Sequence, residues 1–375
     1  MKTPPKSIVA LSQIVAARSR LSGAIVRTAC PESASLSELT GARIFCKQEH
    51  LQRTGSFKER GARNALAQLT PDQSAKGVIA ASAGNHALGL AWHGRSLDIP
   101  VTVVMPRFAP LVKVARCRQF GASVLLHGDT FDEARAEATR LAGECELTYV
   151  HPFDDLQVIA GQGTLAFEII EQVPDVEAIL VPVGGGGLLA GMATVLHALK
   201  PEVKIIGVEP ANAACFTAGL SAGESVNVAT RFTLADGLAV AEAGQHTLAI
   251  ARPLVRQMVQ VGEEHLALAM LRLAELEKSI IEGAGAAGLA ADGRIYRFDA
   301  LISDRPGGLA HLSSLLAAAG SNVTEIVHNR TFAGPDLSRV HVLCTVETRD
   351  RAHIVEIQQR LAKSGVELCG ATSPG

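Results

Sequence analysis

Three groups of residues have the types and spacing to do chemistry. The first centres on Lys58, which follows the Gly55-Ser56 pair and Phe57 and precedes an amphipathic run from Glu59 to Leu69. That placement predicts a lysine where a loop becomes a helix. The partial positive charge of a helix N-terminus disfavours a nearby ammonium, and partial burial beside Phe57 favours the neutral amine as well. A neutral lysine amine is a nucleophile able to form a Schiff base. An ordinary solvated lysine on a first helical turn is the competing reading.

The second group is Ser82, Ala83, Gly84, Asn85 and His86, directly after the apolar run Val78–Ala81. A glycine among small polar residues at a helix start exposes backbone N–H groups, which receive a carboxylate or phosphate without a cationic side chain. Asn85 can also bond a phenolic or carbonyl oxygen. An ordinary cap by Ser82 or Asn85 is the alternative. The third group is Gly184, Gly185, Gly186 and Gly187, followed by Leu188, between an apolar run and a helical pattern. Successive glycines let backbone approach a ligand closely and aim N–H groups at phosphate oxygens. Gly185, Gly187 and Ala190 also fit a relaxed dinucleotide fingerprint, with Glu209 where a ribose-binding acid belongs. A nicotinamide oxidoreductase is therefore a competing function, although it leaves Lys58 and the 82–86 loop without a role.

The elements that must position these groups read as an α/β chain. Strands are expected at Ala42–Lys47, Val78–Ser82, Val101–Met105, Val124–His127, Thr148–His151, Ala178–Val183 and Lys204–Glu209. Helical patterns lie between them, at Ala87–Leu97, Leu111–Phe120, Phe131–Ala142, Val158–Gln172 and Leu188–Leu199. Buried strands alternating with helices predict parallel sheet, with ligands at the carboxyl ends of strands. Two helices follow, Glu263–Lys278 and one after Glu282. From Arg294 the pattern becomes βαββαβ, a ferredoxin-like order, so a boundary is expected near Asp292-Gly293, giving domains 1–291 and 292–375.

The 375 residues allow two or three domains; 47% are hydrophobic and 19% charged, which gives ample core and disfavours disorder. Net charge is −2 with no basic block, so nothing points to nucleic acid. No apolar run has membrane-spanning length, and the N-terminus lacks a signal-type apolar stretch. The seven cysteines show no Cys-x-x-Cys spacing, which disfavours disulfides and structural zinc. These features together predict a soluble cytoplasmic protein.

Taken in order, the three groups closely resemble the threonine/serine dehydratases among the fold-type II pyridoxal-phosphate enzymes. The resemblance runs from about Ile25 into the C-terminal domain. It also takes in His151 to Asp155 and Val158 to Thr164, while the Asp304–Gly308 region resembles the ACT-like regulatory domain of catabolic threonine dehydratases. It implies two open parallel-sheet subdomains and pyridoxal 5'-phosphate as cofactor. Lys58 would be the Schiff-base lysine and general base, and Gly184–Leu188 the phosphate cradle. Ser82–His86 would be the substrate-carboxylate loop, Asn85 the partner of the ring 3'-oxygen, and Phe57 a neighbour of the ring, with Asp236-Gly237 a weaker candidate for its other side. The implied reaction is threonine to 2-oxobutanoate and ammonia, with serine to pyruvate as a companion. An amino-acid substrate, an allosteric small molecule and a homo-oligomer are the implied partners.

Three departures qualify the resemblance. Racemases of the family carry a serine where this chain has Ala83, so elimination is expected rather than racemisation. The cation site of the racemases is weakened, because Cys215 replaces an acidic residue in the segment after Glu209, and no metal is expected. The third departure is larger. The family's segment of helix, buried strand and Ser/Cys-Gly-Gly-Asn turn, which supplies the partner of the pyridine nitrogen, has no counterpart between the Glu282 helix and Ile295. Impaired activity is therefore expected, with a catalytically degenerate regulatory protein as the third function class.

Overall fold

The computed structural model describes residues 8–291, 295–329, 339–348 and 351–369. The chain divides into two compact units, Met1–Gly288 and Leu289–Gly375. The expected boundary at Asp292-Gly293 lies outside the described residues.

The first unit opens with α1 (Leu11–Leu21), β1 (Glu32–Ser33), α2 (Ala34–Thr40) and β2 (Ile44–Phe45). Its first sheet is then built by α3 (Lys58–Leu66), α4 (Pro71–Lys76), β3 (Val78–Ala81), α5 (Asn85–Leu97), β4 (Val101–Met105), α6 (Leu111–Gln119), β5 (Ser123–Leu126), α7 (Phe131–Glu144) and β6 (Thr148–Tyr149). A second sheet follows from α8 (Leu156–Gln172), β7 (Ala178–Pro182), α9 (Gly187–Leu199), β8 (Lys204–Pro210), α10 (Cys215–Ala222), α11 (Gln245–Ala251), β9 (Gln257–Val261), α12 (Glu263–Leu276) and α13 (Gly283–Ala290).

The strands pair in parallel in the orders β5-β4-β3-β6 and β7-β8-β9, giving two open parallel sheets. Fully buried runs such as Val78–Ala81 suit a sheet covered on both faces. Local signals set the helix starts. Thr70 with Gln73 and Thr130 with Glu133 form capping boxes at α4 and α7, and Asp155 caps α8 through the N–H groups of Gln157 and Val158.

Two expectations are corrected. Ala42–Lys47 is not a strand of a parallel sheet: only Ile44–Phe45 pairs, antiparallel to Glu32–Ser33. Lys47 turns away instead, with its amine on Glu168 and on the Thr28 carbonyl, and the chain enters a short 3-10 turn at Glu49–Leu51. Strand β9 was absent from the sequence expectations. Its glutamines, Gln257 and Gln260, flank Met258 and Val259 at a sheet edge, so the apolar run is broken.

Helices α3, α8 and α9 pack at backbone distance. A Cβ at Gly161 would stand 2.6 Å from the Arg60 carbonyl oxygen, and one at Gly191 would stand 2.4 Å from that of Ile159. This close packing seats the helix that begins at Lys58 against the second sheet's helices.

The second unit comprises β10 (Ile295–Ser303), α14 (Gly308–Ala318), β11 (Asn322–Asn329), β12 (Arg339–Glu347), α15 (Arg351–Lys363) and β13 (Glu367–Cys369). Its antiparallel sheet runs β11-β12-β10-β13, a split βαββαβ arrangement. Alternate residues of β12, Val340, Val342, Cys344 and Val346, are buried in its own core with Phe298, Leu312 and Ile357.

Candidate active site

Lys58 is the first residue of α3, with Phe57 at the N-cap and no side-chain capping bond. Its amine donates to the Pro152 carbonyl at 2.8 Å and lies 5.5 Å from the centre of the Phe57 ring. Removal from water lowers its pKa to about 8, because burial penalises the charged form. The solvated-lysine reading therefore fails on the geometry. The helix behind it is anchored by Arg60, which is 1% exposed and reaches Glu49 at 2.8 Å and Glu168 at 2.7 Å. Beside it, the buried Glu59 carboxylate accepts the Thr54 N–H and faces His93 at 3.4 Å.

Loop 82–86 leads from β3 into α5. The N-cap is Gly84 and no side chain caps the helix, so neither Ser82 nor Asn85 serves as an ordinary capping residue. Ser82 Oγ instead accepts the Gly84 N–H at 3.2 Å. Asn85 donates from Nδ2 to Glu282 at 2.5 Å. The His86 ring is buried, with Nε2 3.1 Å from the Val150 carbonyl oxygen. Burial, and then the nearby Lys58 charge, push its pKa down to about 3, so it stays neutral. His86 can therefore offer a ligand its backbone, while its ring belongs to the core.

The glycine loop joins β7 to α9. Gly186 is the N-cap in the left-handed region, at φ 94°, and no side chain caps α9. A Cβ at Gly185 would sit 2.2 Å from the Phe153 ring, and one at Gly186 would sit 2.1 Å from the Phe216 ring. The glycines thus serve packing as well as access to backbone N–H groups. Leu188 is buried behind them.

The structure brings the three groups together. Lys58 touches Pro152, the next residue, Phe153, covers Gly185, and His86 lies within electrostatic range of Lys58. Asp236 forms an ion pair with Lys113 at 3.2 Å, and a Cβ at Gly184 would stand 3.1 Å from Leu238 Cα in the same turn.

Glu282 was not singled out as a site residue by sequence reasoning. It bonds Asn85, and burial raises its carboxyl pKa against the opposing effects of Asn85 and Lys113. Its partner lies 197 residues away, and no local pattern signals such a pairing.

The dinucleotide reading is overturned. Glu209 is wholly buried, and its two carboxylate oxygens accept the N–H groups of Phe216 and Thr217, each at 3.1 Å. It caps α10 and is closed to a ribose. Cys215, next to that cap, has its sulfur 3.8 Å from the Gly184 carbonyl oxygen.

Uncapped starts at α5 and α9 offer backbone N–H groups of the kind that bind carboxylates and phosphates. With a lysine amine of lowered pKa beside them, the donor set fits an anionic aldehyde cofactor such as pyridoxal phosphate. Comparison with known proteins agrees. Residues 21–299 match the family model described as pyridoxal-phosphate dependent enzyme. The L-threonine ammonia-lyase of Thermotoga maritima is 40% identical over 397 residues, covering 96% of this chain and 99% of that protein. The catabolic L-threonine dehydratase of Escherichia coli K12 is 42% identical, covering 76% of this chain and 86% of its own. Among solved structures, threonine deaminase isoform 2 of Solanum lycopersicum aligns with a TM-score of 0.72 and 38% identity, over 78% of this chain and 88% of that one. The serine racemase of Dictyostelium discoideum aligns with a TM-score of 0.71 and 36% identity, over 76% and 91%. On its fold, its donor set and these matches, the chain belongs to the pyridoxal-phosphate-dependent enzymes, in the company of the threonine dehydratases.

Proposed function

We propose that the chain is a threonine ammonia-lyase, converting L-threonine to 2-oxobutanoate and ammonia, and L-serine to pyruvate as a lesser activity. The observation that carries this reading is the half-buried Lys58 amine, held on the Pro152 carbonyl with its pKa lowered to about 8, in a chain whose relatives of that name match it almost end to end.

Lys58 would hold pyridoxal 5'-phosphate through its amine, and the backbone of Gly184, Gly185, Gly186, Gly187 and Leu188 would receive the phosphate. Asn85 would face the ring 3'-oxygen, with Phe57 alongside the ring. When bound, the cofactor supplies an electron sink for charge developing at the substrate Cα. The substrate carboxylate docks on the backbone of Ser82, Ala83, Gly84, Asn85 and His86, at the uncapped start of α5. The neutral Lys58 amine would take the proton from Cα; a pKa near 8 leaves a useful neutral fraction at cellular pH. The β-hydroxyl would take up a proton and leave as water, and the enamine so formed would tautomerise and hydrolyse to the 2-oxo acid and ammonia. Ala83 has no hydroxyl to return a proton to the opposite face of Cα, which favours elimination over racemisation.

We place the catalytic domain at 1–291 and an ACT-like regulatory domain at 292–375. The βαββαβ order of the second unit supports a small-molecule effector and a homo-oligomer. All seven cysteines are unpaired, as in the cytoplasm. Among the described residues no helix is long and apolar enough to cross a membrane. Activity is reduced relative to the Thermotoga relative, because the segment carrying the family's partner for the pyridine nitrogen is missing.

The test is borohydride reduction of the cofactor-loaded protein, followed by peptide mapping and a 2-oxobutanoate assay with threonine. The expected result is a reduced adduct on Lys58 and slow turnover, lost on Lys58→Ala by about a thousandfold or more. An adduct elsewhere, or turnover unaffected by Lys58→Ala, defeats the reading. Turnover equal to that of the Thermotoga relative defeats the claim of impairment alone.

A further inference from the structure

The loop between β6 and α8 touches both ends of the candidate cofactor site. Its turn is closed by His151, whose Nδ1 accepts the N–H groups of Asp154 at 2.8 Å and Phe153 at 3.4 Å. One end of the loop holds the lysine, through the bond from Lys58 Nζ to the Pro152 carbonyl. The other end holds the glycine cradle in two ways. Phe153 packs against it: its ring blocks any side chain at Gly185, and its carbonyl oxygen lies 2.9 Å from where a Cβ of Gly187 would stand. Asp154 acts at one remove. Its carboxylate accepts the N–H groups of Gln245 at 3.0 Å, His246 at 2.8 Å and Thr247 at 3.2 Å, so it caps α11 from 91 residues away. The buried Thr247 hydroxyl in turn donates to the Gly185 carbonyl at 2.6 Å, and the Gly244 N–H donates to the same oxygen at 3.2 Å. Neighbouring Asp155 is spent on capping its own helix, α8, so the two adjacent aspartates fix opposite sides of one loop.

We propose that loop 151–155 sets the separation between the Lys58 amine and the glycine cradle, and that Asp154 is the positioning residue for the cradle end. The proposal rests on Lys58 and Gly184–Gly187 being the two points that hold pyridoxal phosphate. That molecule carries its aldehyde and its phosphate on one rigid ring. A rigid ligand gains from its second contact only if the two receiving groups stand at the matching distance. Asp154 touches neither group. It holds α11, α11 holds the Gly185 carbonyl, and the orientation of that peptide fixes which way the neighbouring N–H groups point. Loss of Asp154 therefore weakens the phosphate contact and leaves the amine untouched.

Pyridoxal and pyridoxal phosphate separate these effects, because they share the aldehyde and differ in the phosphate. Each is titrated into cofactor-free protein, with the adduct read from its absorbance and located by borohydride trapping. Wild type is expected to prefer the phosphate form. Asp154→Ala should lose about tenfold in affinity for pyridoxal phosphate and change by less than about twofold for pyridoxal. Asp154→Asn, whose amide oxygen can still accept the α11 N–H groups, should recover most of the loss. Phe153→Leu, which thins the packing under Gly185 without touching α11, should show the same selective loss and serves if Asp154→Ala does not fold. Equal losses for both aldehydes, or no loss for the phosphate form, overturn the proposal. Failure of the underlying reading looks different: wild type itself then gives no adduct on Lys58 with either aldehyde, and the proposal falls with it.

Discussion

A lysine kept out of water is costly to the fold that keeps it. Lys58 has its pKa lowered from 10.5 to about 8 by burial, so the folded chain releases that proton more readily than the unfolded chain does. Between pH 8 and 10.5 the unfolded state binds more protons, and stability rises with pH across that window. Below about pH 8 both states are protonated and the penalty is complete. Lys58→Met should therefore stabilise the cofactor-free protein at pH 7 by about 1–3 kcal/mol, after allowance for the amine's partial exposure. The gap should close as pH approaches 10.5. Urea unfolding of both proteins at the two pH values measures it, and a gap that is absent at pH 7 or widens with pH contradicts this account. Lys58 was legible in the sequence because loop chemistry before it and an amphipathic pattern after it are local signals. Glu282 and Asp154 were not, since each takes its role from a partner about 90 to 200 residues away. Nothing local separates such carboxylates from solvated ones.

Helix α3 depends on a buried charge network that its sequence barely announces. Arg60 sits in the first turn of the helix, 1% exposed, and its acceptors, Glu49, Glu168 and the Thr164 hydroxyl, all come from other elements. Lys47 shares Glu168 at 2.6 Å. Replacing the arginine by a hydrocarbon strands two carboxylates with one remaining cation. Removal of one partner from a buried pair typically costs about 3–5 kcal/mol, so Arg60→Leu is expected to destabilise by that order and to loosen the start of α3. Urea unfolding would show the loss, and a change under about 1 kcal/mol would mean the network is not what anchors the helix. Among the elements, legibility followed burial. The apolar runs of β3 and β4, the latter interrupted only by Thr102, were clear because both faces of a parallel strand are covered. β9 was obscure because its glutamines, Gln257 and Gln260, interrupt the apolar run, and β2 was over-read because an apolar run does not reveal how much of it will find a partner strand.

At the scale of the molecule, the second parallel sheet is left partly uncovered. Among the described residues β7 pairs only with β8. Ile179 and Val181 are buried while Ala178 is exposed and Leu180 is 43% exposed. Parallel sheets ordinarily have both faces covered, so a half-open apolar strand marks a place where cover is missing. Nearby in sequence to the proposed gap, Leu271 and Ile280 are also open to solvent. The alignment with the Thermotoga relative spans 397 residues, longer than this 375-residue chain, so some of that relative has no counterpart here. These observations agree with loss of a helix and a core strand between Ala290 and Ile295, and restoring them is a direct test. Grafting the relative's unmatched residues at that point should raise the melting temperature and slow release of cofactor on dialysis by about tenfold. Leu180 reports whether the graft docks as argued. In the native chain Leu180→Lys should change stability by less than about 0.5 kcal/mol, as surface substitutions do. In the grafted chain the same lysine would be buried under the new segment and should cost about 2 kcal/mol or more. If Leu180→Lys is equally mild in both, the graft does not cover β7. The open face would then be native to this chain, and the impairment proposed for it would lose its structural cause.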